Sequence, residues 1–179
     1  MNTTLLLSET PGASNHSPSF VRAATIPAGL VLLATLVCGR PAFAGPASEP
    51  RKAGPVAAQA FADRASIAPG DTVYLAIVLT PDKDHHIYWQ NPGGLTGLPT
   101  EVEWSVPEGF RIGRLRYPVP HTQYEKALHE ISFIHERAAA FLTPVRVPDT
   151  AKPGEEVTFT AQARWLVCRA TQCIPGNVT

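Results

Sequence analysis

The sequence predicts an all-β fold, an immunoglobulin-like antiparallel β-sandwich, and three observations carry that expectation. The first is punctuation: 18 prolines and 13 glycines in 179 residues divide the chain into short segments, which suits strands and tight turns better than long helices. The second is alternation. In "EVTFTAQARWL", Val157, Phe159, Ala161, Ala163 and Trp165 fall on one face and Thr158, Thr160, Gln162 and Arg164 on the other, the period-two signature of a half-buried strand. The third is spacing, because seven or eight short strand candidates are separated by turn sequences such as "APGD", "NPGG", "PEG" and "KPGE".

The chain opens on a segment that reads as a secretory leader, residues 1–44. Arg22 precedes the uncharged run "AATIPAGLVLLATLVCG", and Ala42 and Ala44 supply an A-x-A cleavage site before Gly45. The apolar run is short for a membrane span; an uncleaved anchor is the rival reading. Val37 stands before Cys38 where a lipidated cysteine needs a small residue, so the leader is not read as a lipoprotein signal. Its removal takes away Arg22, Arg40 and Glu9, which moves the formal net charge from +0 to −1. Such neutrality gives no compositional case for nucleic acid or an anionic membrane as the main partner. Cys38 leaves with the leader, and Cys168 and Cys173 remain as an even pair in an oxidising compartment.

Residues 45–55, "GPASEPRKAGP", read as a flexible lead-in to a domain over 56–179. Within it, "DTVYLAIVLT" places Val73, Leu75, Ile77 and Leu79 on one face; its other face is only partly polar, so it is expected to be covered too. Further strands are expected at 56–66, 85–90, 100–106, 111–117, 130–136 and 139–147, with 121–130 as a helical turn or a loop. Tyr88 and Trp89 are expected to pack, Asn91-Pro92-Gly93 to form a turn, and Trp104 and Trp165 to lie in the core. The last residues, "CIPGNVT", read as a turn and the start of a strand. The expectation is a sandwich missing its last strand or strands, C-terminally truncated, with an exposed edge and part of its core open.

Cys168 and Cys173 admit three readings. As a staple the pair closes a very short loop, worth only about 2 kcal/mol in the chain-entropy model. As a metal site it lacks ligands: His85 and His86 are adjacent and point to opposite faces of a strand, and His129 and His135 are six apart. A copper site of the thiols and one histidine stays open. As a redox couple it sits at a strand end on a rigid scaffold, with Arg169 and Arg164 near to favour a thiolate. The spacing is not C-x-x-C and no βαβ pattern surrounds it, so a thioredoxin fold is excluded.

"HHIYWQNPGGLTGLPTEVEW", "PEGFRIGRLRYPVP" and "WLVCRATQCIPG", in this order, resemble the periplasmic N-terminal domain of the thiol:disulfide interchange protein DsbD and its ScsB-type relatives, over roughly residues 57–176. The sequence departs from the family at Gly94, where an acidic residue commonly follows "NPG", at "ISFIHE", where a Tyr-Gly-Tyr-like segment is frequent, and in its cysteine spacing. The resemblance implies an immunoglobulin-like domain that passes reducing equivalents through Cys168 and Cys173, without cofactor or metal. It implies a thioredoxin-like donor domain, a membrane electron-transfer domain and periplasmic acceptors: disulfide isomerases, cytochrome c maturation factors or copper-tolerance proteins. A loop over the disulfide, from 85–98 or 121–130, is also expected in the family's manner. Arg169 favours Cys168 as the lower-pKa thiol, whereas the position before Ile174-Pro175 favours Cys173 for partner contact. The alternative function is a non-catalytic immunoglobulin-like binding module with a structural disulfide.

Overall fold

The computed structural model describes residues 1–8, 45–95, 97–126, 129–170 and 172–179. Arg22, Cys38, Ala42 and Ala44 of the expected leader lie outside the described residues. Thirteen strands form two sheets, and there is no helix among the described residues. The strands are β1 (Asn2–Leu7), β2 (Arg51–Ala53), β3 (Val56–Ala62), β4 (Ser66–Ile67), β5 (Thr72–Pro81), β6 (His86–Gly93), β7 (Glu101–Ser105), β8 (Arg111–Ile112), β9 (His121–Glu125), β10 (Glu130–His135), β11 (Ala139–Arg146), β12 (Glu156–Arg169) and β13 (Gln172–Val178).

The smaller sheet runs β2-β3-β5-β11-β8, and its three central strands pair antiparallel. The larger is organised around β12, which pairs with β1, β6, β7 and β13, while β10 and β9 extend it beyond β6. Both sheets turn their alternating apolar faces inward. From β5 come Val73, Leu75, Ile77 and Leu79, all fully buried, and from β12 come Val157, Phe159, Ala161, Ala163 and Trp165. The second face of β5 is partly covered as expected: Ala76 is buried, and the Arg116 guanidinium lies over the Tyr74 ring at 5.5 Å. Trp104 and Trp165 are core residues.

Three local expectations change. Residues 121–130 form neither a helical turn nor a simple loop: β9 pairs with β10 in a hairpin, Tyr124 opposite Ile131 and His121 opposite Ile134. Asn91-Pro92-Gly93 is not a turn but the irregular end of β6, where the β10 register jumps from Ser132–Gly93 to Ile134–Tyr88. A proline has no ladder donor, which is why the irregularity falls there. Gly93 at φ 78° is required, because a Cβ would run into the Ile131 carbonyl. Strand 111–117 contracts to Arg111–Ile112 plus one bridge between Arg116 and Leu142.

The two chain ends meet on β12. "CIPGNVT" lies within β13, which pairs with β12 from Arg169–Gln172 to Ala163–Val178. The edge expected to stand open beyond it is filled by β1, in register from Asn2–Thr160 to Leu6–Glu156.

Candidate functional site: a cross-strand cystine backed by tyrosine and histidine

The cystine follows from hairpin geometry. β12 and β13 are joined by residues 170–171, with Arg169 opposite Gln172, so the next pair out is Cys168 opposite Cys173. Their Cα atoms are 4.1 Å apart, the close approach of a non-hydrogen-bonded antiparallel pair, and their sulfurs are bonded. Four intervening residues are thus what a two-residue turn with one closing pair requires. The turn is left-handed at Ala170, φ 49°.

Strand alternation decides which way the sulfurs face. Odd residues of β12 enter the core between the sheets, so Leu166 and Cys168 lie on the outer face of the larger sheet. There they form a separate small cluster with Tyr88 and Ile134. Cys168 is 1% exposed, whereas Cys173, on the outer strand, is solvent-exposed. One sulfur therefore faces solvent and the other is held inside.

The inner sulfur has its own partners. His86 of β6 stands opposite Cys168 on the side away from Cys173, and Tyr88 follows two residues later on the same face. The Tyr88 hydroxyl donates to Cys168 Sγ at 3.4 Å, and His86 Nε2 lies 3.4 Å from the same hydroxyl, with the two rings edge-on at 5.2 Å. Burial pushes the Tyr88 phenol above its ordinary pKa, which keeps its proton in place. Burial likewise lowers His86, which holds the imidazole neutral at pH 7. Tyr88 is fixed from behind: its carbonyl accepts from Thr100 Oγ1 at 2.7 Å, and the Thr100 carbonyl accepts from Tyr117 at 3.0 Å.

The expected arginines are not the electrostatic partners of the thiols. Arg164 pairs with Glu103 at 2.9 Å and Glu101 at 3.4 Å on β7, four residues down β12 from Cys168. Arg169 is exposed, and alternation turns it to the opposite face from Cys168. The sequence placed cations beside the thiols; Tyr88 and His86, which lie some eighty residues away in the chain, were missed as partners of the sulfur. The period-two pattern through His86 and Tyr88 is the signal that puts both on one face.

The contact that residues 85–98 make with the cystine comes from strand β6 and not from a loop laid over it, and 121–130 holds strand β9. Tyr88 touches Cys168, and Gly97 packs against the Tyr88 ring, where a Cβ would not fit. Gly94 lies beside the Glu130 carboxylate, which accepts from the Leu95 amide at 3.1 Å. His121 and His129 are exposed, and His135 is buried against Phe141 at 6.0 Å. Among the described residues no group of three or more His, Cys, Asp and Glu side chains converges to hold a metal ion.

Such a site, an outward-facing cystine with one open and one sheltered sulfur on an all-β sandwich, defines a thiol-bearing β-domain rather than a thioredoxin. The chain belongs to the family of N-terminal domains of the thiol:disulfide interchange protein DsbD, whose family model matches residues 55–179. Among solved structures it is similar to the N-terminal periplasmic domain of ScsB from Proteus mirabilis, with TM-score 0.54 and 12% identity over 74% of this chain and 49% of that one. That likeness shows the fold, and the chain spans about half the length of that structure. No curated protein sequence matches the chain.

Proposed function

We propose that the domain is a periplasmic dithiol relay that passes reducing equivalents through Cys168 and Cys173 from a thioredoxin-like donor to disulfide-bonded acceptor proteins. The observation that carries this reading is the asymmetry of the cystine, exposed at Cys173 and buried at Cys168 against a hydroxyl donor. Thiol–disulfide exchange needs in-line access to one sulfur and stabilisation of the other as it leaves.

The steps follow from that asymmetry. A donor thiolate attacks Cys173 Sγ, forming a mixed disulfide and breaking the bond to Cys168. Cys168 departs as a thiolate, its charge met by the Tyr88 O–H, and takes a proton from solvent or through His86. The donor's second thiolate then attacks its own sulfur in the mixed disulfide, leaves as the oxidised donor and frees Cys173. Two electrons and two protons have entered. In the outward half, the Cys173 thiolate attacks the acceptor disulfide, and Cys168 resolves the intermediate, restoring the cystine and releasing the reduced acceptor. Cys173 is thus the partner-facing sulfur and Cys168 the resolving one. Export across the inner membrane by residues 1–44 and delivery of electrons by a membrane domain belong to the same reading.

The deciding measurement is the reduction potential of the pair in graded thiol buffers, with free thiols counted by alkylation. A value of about −180 to −250 mV is expected; one below about −300 mV marks a structural bond and gives a binding module instead. Single variants assign the sulfurs: Cys168→Ser, which leaves Cys173 without its resolving thiol, is expected to trap a mixed disulfide with a disulfide-bonded acceptor, and Cys173→Ser to trap none.

A further inference from the structure

A sulfur that leaves a disulfide gains a proton, and one that closes a disulfide loses it. Cys168 is badly placed to trade that proton with water directly. It is 1% exposed and packs with Ile134 and Leu166, and Tyr88 beside it is 5% exposed. The polar group at its sulfur is the Tyr88 hydroxyl, and behind that hydroxyl stands the half-buried imidazole of His86.

Counting protons fixes the direction of both hydrogen bonds. A cystine sulfur carries no hydrogen, so the phenol donates to Cys168 Sγ at 3.4 Å. That commits its one proton. The 3.4 Å approach of His86 Nε2 to the same oxygen is then a hydrogen bond only if Nε2 carries the ring proton, which leaves Nδ1 bare and able to accept. The charged and titratable groups that act on His86 are Glu136, just past β10, and its neighbour His85. Burial lowers the imidazole pKa most, Glu136 works against it and His85 with it, so the ring is neutral at pH 7. It holds one proton to pass on and one site to refill.

We infer that His86 is a positioning residue for the exchange: acting through Tyr88, it delivers a proton to the Cys168 sulfur as the cystine opens and withdraws it as the cystine closes, a role that rests on the relay reading above. When a donor thiolate bonds to Cys173 Sγ, the electron pair of the Cys168–Cys173 bond goes to Cys168 Sγ. That sulfur takes the phenolic proton, the phenolic oxygen takes the Nε2 proton, and Nδ1 takes one proton from water. One S–H is formed, one proton is drawn from solvent, and His86 ends neutral in its other tautomer. Tyr88 is never left as a phenolate, the form its burial disfavours. The same transfers run backwards when Cys168 resolves a mixed disulfide.

The test uses the full oxidised chain and needs no partner protein. Histidine ¹⁵N shifts are expected to show the His86 proton on Nε2; a proton on Nδ1 overturns the proposal without any variant. Reduction by dithiothreitol is then timed in H₂O and D₂O, with rates expressed per reductant thiolate. Wild type is expected to show a solvent isotope effect well above unity. His86→Gln keeps an N–H for the phenol but cannot take up one proton while giving another, and His86→Phe keeps a ring against Tyr88. Both are expected to lose the isotope effect and to react about tenfold more slowly, less than a lost proton donor usually costs because a thiolate can leave unaided. A unit isotope effect in wild type, or its survival in either folded variant, overturns the proposal. Failure of the relay itself shows elsewhere, as a wild-type reduction potential in the range of structural disulfides.

Discussion

At the scale of single residues, the proposed exchange rests on one hydroxyl. Among the described residues Tyr88 is the one side chain that hydrogen-bonds Cys168, and Thr100 holds its backbone carbonyl at 2.7 Å. A hydrogen bond to a charged group is worth about 1.5–3 kcal/mol, and the Cys168 thiolate is such a group while the bond to Cys173 breaks. Tyr88→Phe is therefore expected to slow reduction by a small dithiol about tenfold or more and to raise the Cys168 thiol pKa. Packing is retained, so the melting temperature should stay nearly unchanged. Stopped-flow reduction at several pH values reads both effects; an unchanged rate would mean that the hydroxyl merely fills space.

At the scale of elements, the hairpin β12–β13 places the two cysteines opposite each other and carries one left-handed turn residue. Ala170 holds φ 49°, a conformation that costs a residue with a Cβ about 1–2 kcal/mol. Ala170→Gly removes that cost and adds back some unfolded-state entropy, so a net gain of about 0.5–1 kcal/mol is expected in urea titrations of the oxidised protein. Further along, Gly176 lies under the Trp165 ring opposite it, where any Cβ would strike the indole. How legible these elements were depends on where their determinants sit. β12 and β5 were readable because one face is uniformly apolar and their partners hardly matter. β10 was expected over 130–136, but its partner β9 was not, because "HTQYEKALHE" carries no apolar face; antiparallel pairing with β10 makes it a strand. The cysteine pair was visible as chemistry. Its inner and outer members were not separable until β6 was placed beside β12, since alternation gives a face but not a neighbour. β1 was hidden for another reason: "MNTTLLLS" lies at the front of a segment with the marks of a leader, and nothing local says it completes an edge some 150 residues later.

At the scale of the whole molecule, burial of ionisable groups ties stability to pH, and His135 is the clearest case. His135 is 5% exposed, stands opposite Ile87 and edge-on to Phe141, and its Nε2 has no partner. Burial, reinforced by the nearby His121, lowers its pKa from the ordinary 6.5, and burial lowers His86 in the same direction. The folded state therefore binds these protons less readily than the unfolded chain does, and stability rises with pH wherever the unfolded state holds more protons. The contribution is fully present above pH 6.5, declines as pH falls through the unfolded value, and is lost in full only below the depressed folded values. Each pKa unit of difference is worth about 1.4 kcal/mol. Burial also lowers the Met1 amino group from its ordinary 8.0, so melting temperatures should decline gently from pH 8 and more steeply below about 6.5, down to pH 5. His135→Leu keeps an apolar side chain against Phe141 and removes the titration, so its curve should be visibly flatter across the same interval. A wild-type curve that is level down to pH 5 would show that both imidazoles take up their protons in the folded state as easily as in the unfolded one, which a buried Nε2 without a partner does not allow.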